Sequence, residues 1–361
     1  MRCTRCILPD SIPGISFDEK GVCNFCNDNF PNYNPKGDDF LQKILREGLR
    51  ENSGADCLVG LSGGKDSTYT LLKLKEQFGM RVEAFTYIHE GTTGFSLENA
   101  KKVCNQFSIK HHIVSLKNEA HLKTFHGYFK AFSKSPSSTT AGMTCVACKN
   151  LHILGYDIAA ERNIPFIVWS TSPLEYSPFL ALKYNGGEKE QFKREGNVKG
   201  AYLLLKEMVN SFDFPKTFLT NLKTSLNGCL AAFPTSGYLL KKYPDISPLF
   251  FYEYHNWVPD DIIEYITQNS DWRVPEEIDD WHSDCLFNFF KEYMFLHLYK
   301  ASYTDAFLSN QIRYGLISRE EAIIKLNKNK KQNKEGIFRA IESLGLNDLQ
   351  KRIDSTVFTE Y

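Results

Sequence analysis

The sequence predicts an α/β protein built on a doubly wound parallel sheet, with a small cysteine-rich unit before it and a mostly helical region after it. Three observations predict this architecture. Short apolar runs alternate with helical patterns between residues 40 and 169, which is typical of a parallel sheet. Two close pairs of cysteines lie within the first 26 residues, and helical periodicity dominates after residue 175. We therefore predict three units, which span residues 1–35, 36–175 and 176–361.

Length and charge limit the classes of function. A chain of 361 residues exceeds the roughly 250–300 residues that one hydrophobic core organises. Lysine plus arginine equals aspartate plus glutamate at 43 each, so no strong positive field attracts nucleic acid. The N-terminus lacks the apolar run of a signal peptide, and no stretch of about 18 apolar residues suggests a membrane span. We expect a cytoplasmic protein that contacts neither membrane nor nucleic acid.

The N-terminal unit is defined by two Cys-x2-Cys pairs, Cys3 with Cys6 and Cys23 with Cys26. Four thiolates with this spacing can close a tetrahedron around Zn²⁺. So short a unit buries too little apolar surface to fold unaided, and metal binding would supply its folding free energy. An iron–sulfur centre and four unligated thiols are the alternatives, but paired knuckles favour a zinc ribbon over residues 1–35.

The central motif lies between a buried strand and a helix. Apolar residues 57–61 predict the strand, and the run SGGKDS at residues 62–67 precedes the helical pattern of residues 68–78. Two glycines permit a tight turn with exposed amide groups, and the helix adds the positive end of its dipole. It is not a Walker A loop, because aspartate follows the lysine. We predict a phosphate cradle, and a glycine-rich turn without a ligand is the alternative.

The elements around this motif follow from periodicity and turn residues. They are helix 40–55, strand 57–61, helix 68–78, strand 82–87, helix 97–107, strand 112–116, helix 119–132, a turn-rich linker 133–142, a helix that opens at residue 144, and strand 165–169. Right-handed crossovers place residues 62–67 at the carboxyl edge of the sheet, where α/β proteins bind ligands. Tyr87 ends the second strand there. We predict that it lies beside an adenine ring, with an ordinary buried position as the equal alternative.

A second cysteine pair, Cys145 and Cys148, opens the helical pattern that begins at residue 144. Helix amide groups and a nearby lysine stabilise thiolates, so this pair suits a metal or a redox exchange. A metal needs further ligands. Cys285 and Cys229 are the candidates, because the two cysteines in the earlier strand and helix patterns are typical of packing.

The region after residue 175 has mostly helical periodicity. The predicted helices are 198–211, 259–267, 285–300, 303–311, 319–327 and 335–344. The basic run 325–334 lies between the last two and is predicted to be a solvated loop. Aromatic residues at helical spacing favour a core over a sugar-stacking face.

The run at residues 62–67 resembles the PP-loop of ATP pyrophosphatases, which hold the β,γ-pyrophosphate and cleave ATP between its α and β phosphates. The resemblance implies ATP, bound with Mg²⁺, as the cofactor. It implies catalytic roles for three residues: Ser62 holds pyrophosphate, Lys65 compensates its charge, and Asp66 positions Mg²⁺ or caps the helix. The nucleotide-binding residues on this interpretation are Ser62, Gly63, Gly64, Lys65, Asp66, Ser67 and Tyr87.

The segment TCVAC at residues 144–148 resembles the cluster-binding segment of PP-loop enzymes such as the tRNA thiolases. In those enzymes two such cysteines and a third downstream hold a four-iron, four-sulfur cluster. The third cysteine follows a strand, a proline-initiated helix and a further proline. The corresponding features here are residues 249–254, residues 259–267, Pro275 and Cys285. The resemblance therefore implies Cys145, Cys148 and Cys285 as cluster ligands, with Cys229 in reserve and a second zinc or no metal as alternatives.

Nearly the whole chain is similar to the N-acetyl sugar amidotransferases of lipopolysaccharide O-antigen and flagellin-sugar biosynthesis. The similarity rests on CTRCILPDSIPGISFDEKGVCNFC at 3–26, LSGGKDS at 61–67, TCVAC at 144–148, HSDC at 282–285 and IRYGLISREE at 312–321. It implies that an acetamido group becomes an acetamidino group with ATP and ammonia. It also implies two partners, a HisH-like glutaminase and a HisF-like ammonia-delivering subunit.

The predicted chemistry follows from the poor leaving ability of an amide oxygen. Adenylating that oxygen makes AMP the leaving group, which ammonia can displace. An N-terminal nucleophile glutaminase needs cysteine directly after Met1, where this chain has Arg2, so ammonia is expected from outside. We predict an amidotransferase acting on an N-acetylated, nucleotide-linked sugar. The alternatives are an ATP-dependent tRNA thiolase, which zero net charge disfavours, and a nucleotide-sensing scaffold that releases no pyrophosphate.

Overall fold

The computed structural model describes residues 1–27, 34–51, 53–175, 202–209, 211–274 and 284–358. Its centre is a five-stranded sheet in the order β3-β2-β1-β4-β5. The strands are β1 (Cys57–Gly60), β2 (Val82–Ile88), β3 (Lys110–Ser115), β4 (Phe166–Trp169) and β5 (Ser247–Phe250). Each neighbouring pair is parallel. The predicted α/β class with a parallel sheet is confirmed.

The α-helices lie before, between and after the strands. In chain order they are α1 (Asn24–Asn27), α2 (Asp38–Glu47), α3 (Lys65–Glu76), α4 (Gly94–Gln106), α5 (Ala120–Lys134), α6 (Ser138–Met143), α7 (Asn150–Glu161), α8 (202–209), α9 (Asp213–Thr220), α10 (Leu222–Leu230), α11 (Gly237–Lys242), α12 (Pro259–Asn269), α13 (Phe287–Tyr299), α14 (Tyr303–Arg313) and α15 (Arg319–Ser343). Short 3₁₀ turns span Pro173–Glu175, Phe251–Glu253, Asn347–Arg352 and Ser355–Phe358.

Both faces of the sheet are covered, which explains the continuous apolar character of β1. Successive strand residues point to opposite faces. Cys57 and Val59 join the core formed with α2, α3, α4 and α12, whereas Leu58 joins the core formed with α7 and α11. A parallel strand that is buried on both faces needs no alternation of polar and apolar residues. The predicted packing roles of Cys57 and Cys104 agree with their full burial.

The direction of the chain across the sheet changes beside β1. Strands β2 and β3 extend to one side of β1, and β4 and β5 extend to the other. A ligand crevice forms at such a switch point, at the carboxyl ends of the strands. The loop 61–64 leaves β1 at this edge and enters α3 at Lys65, three residues earlier than the predicted helix start. The helix N-terminus therefore lies directly at the crevice.

The fifth strand comes from the region after residue 175. The amide of Ser247 donates to the carbonyl oxygen of Pro165 at 2.8 Å as β5 begins alongside β4. The sheet therefore draws on chain segments from both sides of the predicted limit at residue 175. The three predicted unit limits stay predictions.

The N-terminal cysteine unit packs against the last third of the chain. Its four cysteines belong to one core cluster with residues of α5, α13, α14 and α15. Arg2 pairs with the fully buried Asp305 at 2.9 Å, and the amide of Ile7 donates to Ser309 Oγ at 3.4 Å. The unit is thus part of the C-terminal core.

The prediction of a solvated loop at 325–334 is wrong, because one helix, α15, runs from Arg319 to Ser343. A capping box of Ser318 and Glu321 starts this helix, and no proline or glycine interrupts it before Gly336. Lys330 is only 2% exposed and faces the charge of Asp305. Burial lowers the pKa of Lys330 to about 8. The charged composition of residues 325–334 favoured a loop, although their helical spacing buries part of the run.

Two other predicted elements end elsewhere. The predicted helix 40–55 stops at Glu47, with Gly48 as its C-terminal cap, and a Cβ at Gly48 would lie 2.1 Å from the Phe166 ring. The predicted strand 249–254 is β5 (Ser247–Phe250) followed by a 3₁₀ turn. Of the predicted helix 198–211, residues 202–209 are helical, whereas residues 198–201 and 210 lie outside the described part of the chain.

The segment before α7 also differs from the prediction. The predicted linker 133–142 contains α6, whose first turn is capped where Ser137 Oγ accepts from the amide of Thr140. The helix predicted to open at residue 144 begins at Asn150 instead. Cys145 and Cys148 therefore lie in turns between two helices.

Among the described residues, no helix combines the length and the apolar character that crossing a bilayer requires.

Candidate functional site

Gly63 determines the path of the loop after β1. Its φ of +84° is in the left-handed region, which favours glycine. A Cβ at this position would lie 1.9 Å from the carbonyl oxygen of Ser96 in α4. The loop can approach α4 this closely only because the side chain is absent.

Two serine hydroxyls hold the loop in shape. Ser67 Oγ donates to the carbonyl oxygen of Gly64 at 3.1 Å and accepts from the amide of Ser62 at 3.2 Å. The amide of Gly64 donates to Ser62 Oγ at 3.2 Å. The first turn of α3 begins at Lys65, and the amide groups of a first helical turn have no carbonyl partner within the helix. This geometry suits an anion such as a phosphate.

Lys65 and Asp66 extend from the loop into a largely buried environment. Lys65 is 5% exposed, and its Nζ lies 3.5 Å from Asp66 Oδ2 and 5.9 Å from the centre of the Trp257 ring. A buried cation beside a phosphate-sized cradle can offset charge that develops on pyrophosphate.

Two tryptophans from the C-terminal region hold the loop, and sequence reasoning missed both. Trp272 Nε1 donates to the carbonyl oxygen of Gly63, and Trp257 Nε1 donates to Asp66 Oδ1, each at 2.8 Å. The Tyr252 hydroxyl donates to the carbonyl oxygen of Asp66 at 3.2 Å. A signal existed, since the chain has only four tryptophans and a buried indole N–H usually needs a partner.

Replacing Trp272 with phenylalanine is expected to raise the KM for ATP about 5- to 30-fold. The ring volume is nearly kept, but the buried Gly63 oxygen loses its donor, which costs about 1–2 kcal/mol. Steady-state AMP formation measures the change. Tyr156→Phe is the matched control, because the fully buried Tyr156 also donates to a backbone oxygen, that of Pro234 at 2.7 Å, but lies outside the cavity lining. Equal effects of the two variants would contradict the assignment.

A cavity of about 410 Å³ opens at the carboxyl edge of the sheet. The carboxyl-terminal ends of β1, β2 and β4 contribute Gly60, Tyr87 and Trp169 to its wall. The predicted site residues that line it are Ser62, Gly64, Lys65, Asp66, Ser67, Tyr87, Cys145, Cys148 and Cys285. Gly63 lies behind this wall, where its backbone shapes the loop.

Three thiols share this cavity with the loop. Cys145 and Cys148 reach it from the turns before α7. Cys285 reaches it because Thr92 pairs with Cys285 in an antiparallel bridge and the amide of Leu286 donates to the oxygen of Gly91. Pro275 and residues 282–283, which supported the sequence argument, lie outside the described residues. Cys229, the reserve ligand, lies away from the cavity in α10, with its Sγ 4.0 Å from Met143 Sδ.

The three cavity thiols suit a cluster better than a single ion. Within the described ranges, the four N-terminal cysteines are the set whose sulfurs all lie within 4.8 Å of one another. The three cavity sulfurs do not all lie within that distance of one another, and soft thiolates are the usual ligands of iron–sulfur clusters. Burial raises the pKa of Cys148 to about 11. The residues present therefore fit a cluster held by three cysteines.

Two imidazole rings stack on the cavity wall next to Cys285. This stack could not be predicted from the sequence, because its histidines are far apart in the chain. His89 and His121 stack with ring centres 4.2 Å apart, and His121 is nearly parallel to Phe287. Tyr87 forms a hydrogen bond through its hydroxyl with His121 Nδ1 at 2.8 Å. Burial lowers the pKa of His89 to about 4, so this ring is neutral at pH 7. Tyr87 was predicted to lie beside an adenine ring; in the structure its hydroxyl is hydrogen-bonded to His121.

Acidic and basic groups face one another across the cavity. Glu175, Asp284 and Lys291 line it together with Lys65 and Asp66. Burial, reinforced by the charge of Asp66, raises the pKa of Glu175 to about 7. Burial also raises the pKa of the Asp284 carboxyl. The sequence offered no reason to select Glu175, Asp284 or Lys291, because only the fold brings them together.

The four N-terminal cysteines form a separate candidate metal centre. Their sulfurs are fully or almost fully buried, with Cys3 and Cys26 3.9 Å apart and Cys6 and Cys23 3.8 Å apart. Zinc–sulfur bonds of about 2.3 Å place tetrahedral sulfurs about 3.8 Å apart. The geometry therefore fits one tetrahedrally bound metal ion.

An arginine from α14 faces this centre. Arg313 Nη2 lies 3.6 Å from Cys6 Sγ, where it can offset the negative charge of a metal tetrathiolate. Arg319 Nε donates to the carbonyl oxygen of Cys6 at 3.1 Å. Both arginines lie in the segment 312–321 that resembles the sugar amidotransferases, and the structure places that segment against the metal centre.

A known family model matches the part of the chain that carries this site. Residues 56–179 match the model described as queuosine biosynthesis protein QueC, and this range contains β1 to β4, the loop 62–67 and two of the cavity cysteines. The match supports the PP-loop ATP pyrophosphatase superfamily. The PP-loop and its cavity thus support an ATP-dependent enzyme.

Solved structures with some similarity are synthetases of pyridine nucleotides. NH3-dependent NAD synthetase from Campylobacter jejuni shares 20% identity over 57% of this chain and 89% of that chain, with a TM-score of 0.28. NMN synthetase from Francisella tularensis shares 11% sequence identity over 77% of this chain and 92% of that chain, with a TM-score of 0.34. Glutamine-dependent NAD+ synthetase from Acinetobacter baumannii shares 13% sequence identity over 81% of this chain and 43% of that chain, with a TM-score of 0.34. No curated protein matches the chain.

Proposed function

We propose that this protein is an ATP-dependent, AMP-forming amidotransferase that converts the acetamido group of an N-acetylated, nucleotide-linked sugar to an acetamidino group. The observation that carries the proposal is the single cavity that joins the PP-loop to Glu175, Asp284 and Lys291. An amide activated at the loop would meet its nucleophile inside the same enclosure, away from bulk water. Lipopolysaccharide O-antigen synthesis in the cytoplasm is the proposed setting.

The first step would be adenylation of the acetamido oxygen. The amide groups of the loop and of the first turn of α3 would hold the pyrophosphate, together with the hydroxyls of Ser62 and Ser67. Lys65 would offset the charge that develops as the bond between the α and β phosphates breaks. Asp66, held by Trp257, would position a magnesium ion on the phosphates.

The second step would be displacement of AMP by ammonia. We propose a HisH-like glutaminase and a HisF-like subunit as its source. The neutral charge balance of the chain, with 43 residues of each sign, supports a small acceptor over a polyanionic RNA.

The two cysteine sets would have different tasks. Cys3, Cys6, Cys23 and Cys26 would hold a structural zinc ion. Cys145, Cys148 and Cys285 would hold a four-iron, four-sulfur cluster, which would bind and orient the acceptor next to the PP-loop.

The experiment uses anaerobically purified protein with ATP, ammonium and a panel of nucleotide-linked N-acetyl sugars whose acetamido oxygen carries ¹⁸O. We expect AMP and acetamidino product in equal amounts, with the label in the AMP phosphate. A Lys65→Met variant controls for contaminating ATPases. Absence of AMP, or AMP without label alongside product, would sink the proposal. Sulfur transfer to tRNA in the same preparation would favour a thiolase.

A further inference from the structure

The 3₁₀ turn Pro173–Glu175 carries a carboxyl group to the cavity. The turn follows β4 at the carboxyl edge of the sheet, and Glu175 lines the same enclosure as Lys65 and Asp66. No role in the proposed binding of ATP requires this residue. Its position in the cavity, within reach of the charges of Lys65 and Asp66, places a carboxyl group near an acceptor that is activated at the PP-loop.

The backbone of this turn is fixed on both sides. The amide of Glu175 donates to the oxygen of Ser172 at 3.1 Å, and the amide of Leu174 donates to Ser172 Oγ at 3.2 Å. From α14, the fully buried Asn310 donates through Nδ2 to the oxygen of Leu174 at 2.7 Å. Arg313 Nη1 in turn donates to Asn310 Oδ1 at 2.6 Å. A reacting group needs such support to keep its geometry.

Four charged groups face the Glu175 carboxyl: Lys65 and Asp66 from α3, and Asp284 and Lys291 from the segment around the start of α13. The two lysines are donors and cannot accept a proton while charged. Asp66 is occupied by Trp257 and Lys65, and Asp284 interacts with Ser62. Burial and these four charges act on the Glu175 carboxyl. It is the remaining candidate among the cavity carboxyls to accept a proton.

We propose that Glu175 is the catalytic base that takes the proton which ammonia must lose as it attacks the adenylated acetamido carbon. The inference rests on the proposed function. The ammonia lone pair forms the C–N bond and gives a tetrahedral adduct with an ammonium nitrogen. Glu175 takes one proton from that nitrogen. The C–O bond to AMP then breaks with its electron pair, AMP leaves with the former acetamido oxygen, and the acetamidinium product forms.

The protonation behaviour of Glu175 fits this role. Burial and the charge of Asp66 raise its pKa to about 7, against the lowering effect of Lys65 and Lys291. A base with a pKa near the working pH both accepts and releases protons efficiently. Since the reactive form is the carboxylate, the rate of acetamidine formation, measured at a constant concentration of free ammonia, should rise with pH through about 7 and level off above it.

The test separates adenylation from ammonia transfer in Glu175→Gln. Exchange of labelled pyrophosphate into ATP, in the presence of the acceptor, reports adenylation. We expect this exchange to stay within a few-fold of the unmodified protein, whereas acetamidine formation from ammonia falls about 100-fold. Hydroxylamine should restore transfer to within a few-fold, because its adduct is a stronger acid and loses its proton to water. At a constant concentration of free ammonia, the rise of the transfer rate with pH should disappear in this variant.

Glu292→Gln is the matched control. Burial also raises the pKa of Glu292 to about 7, but this residue lies on α13 outside the cavity lining. We expect its exchange and transfer activities to change together. If Glu175→Gln does not fold, Glu175→Asp is measured in the same way and should lower transfer selectively.

The outcomes separate the two proposals. No pyrophosphate exchange in the unmodified protein with any acceptor would overturn the proposed function itself. A functional unmodified protein, together with a Glu175→Gln variant that loses exchange and transfer equally or is not rescued by hydroxylamine, would overturn only the role of Glu175.

Discussion

A Gly63→Ala variant is expected to form AMP at least about 100-fold more slowly than the unmodified protein. The left-handed φ of Gly63 costs an L residue about 1–2 kcal/mol. The new Cβ would also lie 1.9 Å from the oxygen of Ser96, so the loop and α4 must move apart. A displacement of about 1 Å in phosphate-binding groups is enough for a 100-fold loss. Initial rates of AMP formation and thermal unfolding together measure the effect.

Gly64→Ala is the control for backbone strain. Gly64 has an ordinary φ of −75°, and a Cβ there would contact only Ser62 Oγ, at 3.3 Å. We expect Gly64→Ala to unfold at the temperature of the unmodified protein, whereas Gly63→Ala unfolds at a lower one. Normal stability and normal AMP formation in Gly63→Ala would show that the loop does not need the observed backbone.

Cys6→Ser is expected to remove the metal from the N-terminal centre and to lower the free energy of unfolding by several kcal/mol. Structural zinc contributes about 10–16 kcal/mol to the folding of isolated zinc-finger peptides. Here the four cysteines are part of a core that includes α13, α14 and α15, so the loss should reach well beyond the first 26 residues. Elemental analysis and denaturant unfolding measure both effects.

The same variant should also slow catalysis through a chain of contacts. Cys6 faces Arg313, which holds Asn310, which holds the turn that carries Glu175. Cys229→Ser is the control, because Cys229 contacts Met143 and lies apart from both cysteine sets. It should keep its full metal content and unfold close to the unmodified protein. A Cys6→Ser protein with unchanged stability and metal content would contradict the assignment.

The features that sequence could predict are those whose residues are close in the chain. Strand β1, the turn with Gly63 and the start of α3 occupy one short run, so local rules predict the phosphate cradle. The two N-terminal cysteine pairs are likewise local, and their sulfurs meet within 4.8 Å. The alternation of strands and helices predicts the parallel sheet.

The features that sequence could not predict depend on distant contacts. Trp257 and Trp272 hold the PP-loop from about 200 positions away in the chain, and nothing near either tryptophan indicates a nucleotide. Glu175 and Lys291 become neighbours only in the folded chain, where the turn after β4 and α13 line the same cavity. The basic run in α15 was predicted to be a loop from its composition. In the structure its Lys330 is buried and interacts with the charge of Asp305, a contact between distant parts of the chain.

The packing of the N-terminal unit against α14 and α15 has a consequence for the order of synthesis. The first 26 residues leave the ribosome long before the segment 303–343 that completes their core. Until then their thiols are not enclosed as they are in the folded protein. Likewise, one edge of β4 stays unpaired until β5 has been synthesised. We infer that the nascent chain carries exposed metal ligands until residues 303–343 have been made, and an open strand edge between the synthesis of β4 and that of β5. Metal supply and chaperone capacity would then govern the yield of folded protein.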